Sequence, residues 1–428
     1  METLRSAWKN LELRRNILFT LLMLFIFRIG SCIPVPFINT AALRQYFTMQ
    51  QGTALGFLNV LSGGAFASAT IFALSVQPYI NASIIIQMLC VAIPALEHIS
   101  KEEGEMGKKK IENITKAAAC VIGLIQAYGY YRLLASNGLL SDGTAGVWWK
   151  ALIIILTFAL GSVVIMLMGK AIDKKGLGNG ISIILFAGIM SRLPSSIITT
   201  VRNVAAGNLK WWVAVMTYVG AILLVVLVVY VNYAERRIAV HYASHISGSR
   251  SFGGMDSFLP VRVSMAGVMP IIFAQSIATL PATIGVLTGH VGSWWARTDT
   301  IPYILIYALL IIGFSYFYTS IIFNPIEIAN NLKANAGAIP GMRPGKPTSE
   351  FLRSVSSRIT VIGAIYLSII AAVPMLISHF VPSVSLTGLS LGGTTVIIAV
   401  GVALEIIQSL EWKLQTRNYS GLFLEKVG

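Results

Sequence analysis

The chain has 428 residues, of which 55% are hydrophobic and only 11% are charged, and its mean hydropathy is +0.75. Soluble globular proteins carry about 25% charged residues, so this composition excludes a soluble fold and predicts a membrane protein. The formal net charge is +15, from 32 Lys and Arg against 17 Asp and Glu. An odd number of cysteines without metal-ligand spacing (Cys32, Cys90 and Cys120) indicates neither a disulfide framework nor a zinc site.

Ten apolar runs are long enough to cross a bilayer, which requires about 20 residues of helix. An even number of spans places both ends of the chain on the same side of the membrane. In chain order the predicted spans are Asn16–Phe37, Phe72–Leu96, Ala117–Leu134, Val147–Met168, Ile181–Ile198, Trp211–Tyr233, Val263–Leu287, Ile301–Phe323, Ile359–Val381 and Gly392–Ile407.

The basic residues indicate which side that is. Of the 32 Lys and Arg, 24 lie before the first span, after the last, or in the alternate loops 97–116, 170–180, 234–262 and 324–358, whereas seven lie on the opposite side. Positive residues concentrate on the cytoplasmic side of membrane proteins, so both termini are predicted to be cytoplasmic. Arg28 lies inside the first span, where either snorkelling to the interface or a specific pairing would accommodate its charge.

The stretch 62–96 joins a segment of small residues to an apolar run. Its first part, SGGAFASAT, is too polar and too small for a lipid-facing helix, and its second part carries Asn81, Ser83 and Gln87. A buried amide needs a partner, so a helix that served only as an anchor would not carry these side chains. The stretch therefore predicts a movable element inside a channel, followed by one wall of that channel.

Two of the cytoplasmic loops, 234–262 and 324–358, combine basic residues with glycine and proline. Such loops can project ordered, positively charged hairpins, which suit an acidic or nucleic-acid partner. Ordinary positive-inside charge is the alternative explanation for them. His241 and His245 stand four residues apart, but no third ligand lies nearby in the sequence, so no metal site is predicted.

The sequence contains no motif for covalent chemistry. Neither a GxxxxGK[ST] phosphate loop nor an HExxH zinc motif occurs, and all four aspartates lie in loops. The spans also lack the midplane charges that proton-coupled transport usually needs. These observations predict that the chain is not an enzyme and binds no cofactor. The polar side chains that the spans do offer are uncharged: Asn81, Ser83, Gln87, Gln126, Gln275, Ser276 and Thr279.

Four motifs occur in the order and spacing of a known family: SGGAFASATIFALSVQPYINASIIIQ (62–87), GLGNGISIILFAGI (176–189), MAGVMPIIFAQSIATLPAT (265–283) and FNPIEIANNLKANAGAIPGMRPG (323–345). Through them the chain resembles the SecY family, the channel subunits of the bacterial protein translocase, from the first span to about residue 412. The resemblance implies an all-α membrane protein with ten transmembrane helices. It also implies two pseudo-symmetric five-helix halves, 1–200 and 201–428, around an hourglass pore with a plug helix at about 57–72.

The resemblance also implies which residues form the sites. A pore ring of apolar side chains is implied at Ile80, Ile84, Leu185, Ile189, Ile272 and Ile398, and the plug at Gly63, Gly64, Ala65 and Phe66. A lateral gate between spans two–three and seven–eight is implied at Ser83, Gln87, Gln126, Gln275, Ser276 and Thr279. Docking of a motor or of the ribosome is implied at Arg236, Arg237, Arg250 and Arg343 in the two basic loops.

The function that the resemblance implies is a protein-conducting channel in the cytoplasmic membrane. It would pass unfolded preproteins across the membrane and hydrophobic segments into it. The implied partners are the small membrane subunits SecE and SecG, the SecA ATPase, the ribosome, signal-peptide-bearing preproteins and membrane lipids. One alternative is a secondary transporter of small solutes, which would also have pseudo-symmetric halves. Another is a passive scaffold, which would not need a plug.

Overall fold

The computed structural model describes residues 10–49, 53–101, 104–141, 147–242, 245–247, 250–252, 256–265, 267–288, 300–381, 383–384 and 393–424. In the first part of the chain the helices are α1 (Leu11–Gly30), α2 (Thr40–Met49), α3 (Ala54–Leu61), α4 (Gln77–Ala92), α5 (Pro94–Lys101), α6 (Gly104–Ser136), α7 (Trp148–Lys175), α8 (Gly180–Met190) and α9 (Leu193–Ala205). In the second part they are α10 (Trp211–Asn232), α11 (Met269–Thr288), α12 (Ile301–Ile322), α13 (Pro325–Ala334), α14 (Lys346–Phe380) and α15 (Gly393–Leu424).

Each of the ten predicted spans contains helix, which confirms the prediction of an all-α membrane protein. Among the described residues, seven helical stretches are long and apolar enough to cross a membrane. Two further spans, α4 and α11, are shorter apolar helices. The first span is the 20-residue helix α1, whose ends carry the charged residues Glu12, Arg14, Arg15 and Arg28.

The first two spans are shorter than predicted, because the chain between them is held in turns. Helix α1 ends at Gly30 rather than Phe37, and α4 begins at Gln77 rather than Phe72. Between them, Pro34 and Thr70 face each other in an isolated antiparallel bridge. Proline restricts φ and lacks an N–H, so Pro34 suits the end of a helix and Pro78 suits the first turn of the next one.

The predicted plug helix at 57–72 is also placed differently. The helix in this region is α3, Ala54–Leu61, and residues 62–76 form successive turns. Gly63 and Gly64 have φ values of +66° and +91°, a conformation that ends a helix at little cost only in glycine. At the other end, the Thr53 hydroxyl accepts a hydrogen bond from the Gly56 N–H at 3.4 Å and caps the helix.

The two basic loops fold together into one small domain. Strands β1 (Glu235–Tyr242) and β4 (Asp256–Arg262) pair antiparallel, and β5 (Gly337–Ala338) from the second loop adds to the free edge of β1. The short strands β2 (His245–Ser247) and β3 (Arg250–Phe252) pair with each other. Ile238, Val240 and Val261 from the sheet pack against buried side chains of α13 and α14: Leu332, Leu352, Val355 and Ile359.

Candidate pore and plug

The six residues of the predicted ring lie together in one buried apolar cluster. Their side chains are between 1% and 7% exposed. They come from four helices: Ile80 and Ile84 from α4, Leu185 and Ile189 from α8, Ile272 from α11 and Ile398 from α15. The i,i+4 spacing places each pair on one face of its helix. The structure therefore brings the predicted ring together, and both parts of the chain, 1–200 and 201–428, contribute to it.

The same cluster contains the end of the short helix α3. Val60 and Leu61 are buried in it together with the ring residues. Branched aliphatic side chains exclude water and offer no group that could replace the hydration shell of an ion. Helix α3 therefore packs against the same apolar cluster as the ring residues, the arrangement expected of a closed channel.

The segment after α3 approaches α8 so closely that only glycine fits at the contact. A Cβ on Gly188 would lie 2.6 Å from the Leu61 carbonyl oxygen. A Cβ on Gly63 would lie 2.8 Å from the Ser191 Oγ. These two glycines let the backbone of the plug segment, residues 54–76, rest directly on the backbone of α8.

Two side chains that the sequence prediction omitted organise the predicted plug residues. The Asn59 Oδ1 accepts a hydrogen bond from the Ala67 N–H at 2.9 Å, across the turn that contains Gly63 to Phe66. The Ser62 Oγ accepts one from the Phe66 N–H at 3.0 Å. Asparagine and serine readily make such local side-chain to backbone bonds, which stabilise turns. The sequence signal that could have identified Asn59 and Ser62 is their position at the end of an apolar run, where polar side chains often form turns.

Phe66 fixes the far end of the turn in an aromatic cluster. Its ring stacks on Tyr130 of α6 with centroids 4.3 Å apart and meets Phe47 of α2 edge-on at 5.3 Å. The Tyr130 hydroxyl donates a hydrogen bond to the Phe66 carbonyl oxygen. No sequence pattern marked Tyr130 as a partner of Phe66, because it lies 64 residues further along the chain.

A cavity of about 1090 Å³ lies beside the plug segment, on the side where α1 ends. Its apolar wall comes mainly from α10 and α14, and it contains Arg28, Arg44 and Arg192. No acidic side chain is present among the described residues that line it. The charged lining of the cavity is therefore entirely positive among the described residues.

Two of these arginines contact the plug segment. The Arg28 Nη1 donates to the Ser191 Oγ at 3.2 Å and to the Gly63 carbonyl oxygen at 3.5 Å. The Arg192 Nη1 donates to the Asn59 carbonyl oxygen at 3.3 Å. Of the two alternatives that the sequence left for Arg28, the structure therefore favours a specific pairing.

The predicted gate residues lie on helices that meet, since α4 and α6 both contact α11. The Gln87 amide, however, donates to Ser83 on its own helix at 3.0 Å. The Gln275 amide donates to the Tyr303 hydroxyl of α12 at 3.4 Å. No hydrogen bond joins Gln87 to Gln275 within the described residues, and their role in a gate stays a prediction.

The remaining polar groups of this seam converge near a narrow cavity of about 50 Å³. Asn81, Gln126 and Thr279 line it together with Leu55, Leu58 and Leu61 of α3. The Asn81 Oδ1 and the Gln126 Oε1 are buried without a hydrogen-bond partner in the described part of the chain. Ser276 is buried one turn before Leu280, and its carbonyl oxygen accepts from the Thr279 hydroxyl at 2.9 Å.

The predicted docking arginines differ in their surroundings. Arg236 and Arg343 are exposed on the small domain that the two basic loops form. Arg237 is also exposed, but its Nε lies 2.8 Å from the Glu235 Oε1 in an ion pair. Arg250 belongs to β3, and its side chain lies outside the described residues. Of the three arginines whose side chains are described, Arg236 and Arg343 are exposed without a partner charge, and their role in docking stays a prediction.

Comparison with known proteins gives a consistent result. The family model described as SecY matches residues 70–407. The protein translocase subunit SecY of Mycobacterium tuberculosis is 38% identical, over 97% of this chain and 98% of its own length. A solved SecY structure, described by the role of its plug domain in stabilising the closed translocation channel, has a TM-score of 0.66 at 16% identity and covers 93% of this chain and 91% of its own. Sec61 in the canine ribosome–channel complex has a TM-score of 0.64 at 16% identity with the same coverage.

Proposed function

The chain belongs to the SecY family, and on that premise we propose that it forms the pore through which a protein translocase passes unfolded polypeptides. It is a channel subunit and not an enzyme. The observation that carries the proposal is the ring: six aliphatic side chains from four helices meet in one buried cluster, with α3 seated on it. Such a ring seals the resting pore against ions and offers no hydrogen bond that would hold a passing chain.

We also propose that the two halves, 1–200 and 201–428, separate to open the pore. Helices α4 and α6 of the first half contact α11 of the second half, and α8 contacts α15. The seam of α4 and α6 with α11 is the proposed lateral gate, with Ser83, Gln87, Gln126, Gln275, Ser276 and Thr279 beside it. Interhelical hydrogen bonds in membranes are worth about 0.6–2 kcal/mol each, so few of them are needed to hold such a seam closed.

The orientation and partners follow from the same proposal. Both termini and the domain of β1, β4 and β5 lie on the cytoplasmic side, and the membrane is the cytoplasmic membrane. The chain has no nucleotide motif, so a partner ATPase (SecA) or the ribosome supplies the energy. Arg236 and Arg343 are exposed on that domain and suit an acidic or nucleic-acid surface. SecE and SecG, signal-bearing preproteins and lipids complete the proposed set of partners.

The pore assignment is tested with a stalled, signal-bearing chain and single cysteines at positions 80, 84, 189 and 272. All four positions are expected to crosslink to the stalled chain. The matched control is Ile85→Cys on α4, because the Ile85 side chain is 46% exposed and faces away from the cluster. Equal crosslinking at position 85, or none at the ring, would contradict a polypeptide pore. Saturable uptake of a small solute would instead favour a secondary transporter.

The docking assignment is tested by reversing one charge. Arg343→Glu is expected to reduce cosedimentation with the motor or with ribosomes, because it places a carboxylate where an acidic partner approaches. Insertion of the chain into the membrane should be unchanged. Arg202→Glu, on the exposed face of α9, is the control. Unchanged docking by Arg343→Glu would remove this loop from the proposed interface.

A further inference from the structure

The plug segment, defined here as residues 54–76, makes its hydrogen bonds to the rest of the channel on one side only. Arg28, Tyr130 and Arg192 donate to its carbonyl oxygens. Two backbone bonds join it to the chain after α1: Val35 N–H to Ala69 at 2.9 Å and Ile71 N–H to Ile33 at 3.1 Å. All of these partners lie within residues 1–200. Among the described residues, none of the segment's hydrogen bonds reaches residues 201–428.

The closest steric contacts of the plug segment are also with residues 1–200. A Cβ on Gly161 of α7 would lie 1.9 Å from the Ile71 carbonyl oxygen, and one on Gly30 of α1 would lie 2.1 Å from the Phe72 ring. Gly188 of α8 makes the third such contact, with Leu61. The N-terminal half is therefore shaped to hold the segment through backbone-to-backbone packing.

The contact with the C-terminal half is apolar. Val60 and Leu61 share the central cluster with Ile272 and Ile398. Leu58 and Leu280 line the same narrow cavity. Apolar contacts are non-directional, and such surfaces separate without leaving a buried donor or acceptor unpaired. The segment is therefore bonded to one half and only touches the other.

The two arginines act at the C-terminal end of α3. The carbonyl groups in the last turn of a helix have no partner within the helix and carry partial negative charge, which favours a nearby cation. Residues 53–76 contain no charged side chain, so the positive charges at this contact come from Arg28 and Arg192 on the surrounding helices. Arg28 and Arg192 approach this end from α1 and from the α8–α9 junction.

We propose that the plug segment is anchored to the N-terminal half and moves with it, so that the pore opens at the interface between the plug and the C-terminal half. Arg28 and Arg192 are positioning residues of this anchor. The inference rests on the proposed function, because it concerns how the proposed pore opens. In this proposal the plug segment stays attached to the N-terminal half when the pore opens. A plug held equally by both halves would have to leave both of them.

Two disulfide pairs test the inference in a chain whose three cysteines are replaced by serine. Gly63→Cys with Ser191→Cys ties the plug to the N-terminal half, and Leu58→Cys with Leu280→Cys ties it to the C-terminal half. The change is measured as preprotein translocation into vesicles carrying the complete translocase. With the first pair oxidised, translocation should stay within about twofold of the reduced protein. With the second pair oxidised or bridged by a short thiol crosslinker, it should fall at least tenfold and recover on reduction.

The outcomes separate this inference from the function on which it rests. A block by the first pair shows that the plug must leave the N-terminal half, and undiminished translocation with the second pair shows that it need not leave the other half. Either result overturns the inference and leaves the pore in place. If neither the reduced double-cysteine proteins nor the cysteine-free parent chain supported translocation, the result would instead contradict the proposed function.

The arginines are tested by Arg28→Gln combined with Arg192→Gln. Crosslinking between Leu58→Cys and Leu280→Cys should slow several-fold, because the plug no longer keeps one position. Lysine at both positions should restore most of the rate, since one donor with a positive charge suffices for each carbonyl. Arg44→Gln is the control, because Arg44 lines the same cavity but makes no hydrogen bond to residues 54–76. An unchanged rate in the glutamine variant, or no rescue by lysine, would overturn the positioning role.

Discussion

The proposed ring and the plug segment would close the same pore by opposite physical means. The proposed ring consists of six aliphatic side chains that lie in one buried cluster and can form no directional bond with one another. The plug segment is held by hydrogen bonds to its backbone and by glycine contacts in which no Cβ would fit. A seal that must open around many different polypeptides cannot depend on specific bonds, whereas an element that must return to one place needs them.

This difference determines how each region should respond to substitution. The ring depends on volume, so its integrity should fall with the number of carbon atoms removed. The plug segment depends on geometry, so it should be most sensitive to added atoms and to lost hydrogen-bond partners. Three substitutions test this contrast, in decreasing order of expected effect.

Removing volume from the ring should have the largest effect. Ile84→Ala deletes three carbons from a side chain that is 3% exposed, which costs about 2–5 kcal/mol when the cavity does not collapse. We expect a lower thermal unfolding midpoint and a higher ion conductance of the resting channel. Ile85→Ala on the same helix is the control, with an expected cost of about 0.5 kcal/mol because its side chain is exposed. Equal effects of the two substitutions would show that the cluster is ordinary packing and not a seal.

Adding volume under the plug should have the next largest effect. Gly188→Val places its Cβ 2.6 Å from the Leu61 carbonyl oxygen, and relief of such overpacking costs about 1–3 kcal/mol. Since a backbone carbonyl cannot rotate away, the plug segment should shift, and resting conductance should rise while the unfolding midpoint falls less than in Ile84→Ala. Gly220→Val is the matched control, because a Cβ at that helical position meets no atom within 4 Å. An impermeable Gly188→Val channel would mean that the plug does not need its seat on α8.

The ring could be predicted from the sequence, whereas the seat of the plug could not. Helical periodicity pairs Ile80 with Ile84 and Leu185 with Ile189, and the family resemblance selects those pairs from many similar ones. The hydrogen bonds that the arginines make to the plug segment join distant parts of the chain: Arg192 bonds to a residue 133 positions earlier, and Arg28 to one 35 positions later. No local pattern marks such pairs, which is why Arg28 remained ambiguous and Arg192 was overlooked.

The helix bounds show the same limit. Hydropathy located the spans, but a run of apolar residues does not reveal where turns replace helix. Residues 31–37 and 72–76 are apolar enough to extend the first two spans, yet the first helix ends at Gly30 and the next begins only at Gln77. The union of the two basic loops in one sheet was likewise unpredictable, because β1 and β5 are separated by about a hundred residues and two spanning helices.

Removing a single plug bond should have the smallest effect and gives the sharpest form of the contrast. Tyr130→Phe keeps the ring that stacks on Phe66 and deletes only the hydroxyl that donates to the Phe66 carbonyl oxygen. That oxygen also accepts from the Ala69 N–H at 3.1 Å, so it keeps a partner, and the expected cost is about 0.5–1.5 kcal/mol. The measurement is the unfolding midpoint together with the protection of the Phe66–Thr70 amides from hydrogen exchange.

Local protection should fall more than global stability, because the lost bond orders a turn and not the core. Tyr131→Phe is the control on the same helix, since the Tyr131 hydroxyl makes no hydrogen bond within the described residues. If Tyr130→Phe instead lowered the unfolding midpoint as much as Ile84→Ala does, one hydrogen bond at the plug would contribute as much to global stability as the buried volume in the ring. The contrast between a seal made by volume and a plug placed by bonds would then not hold.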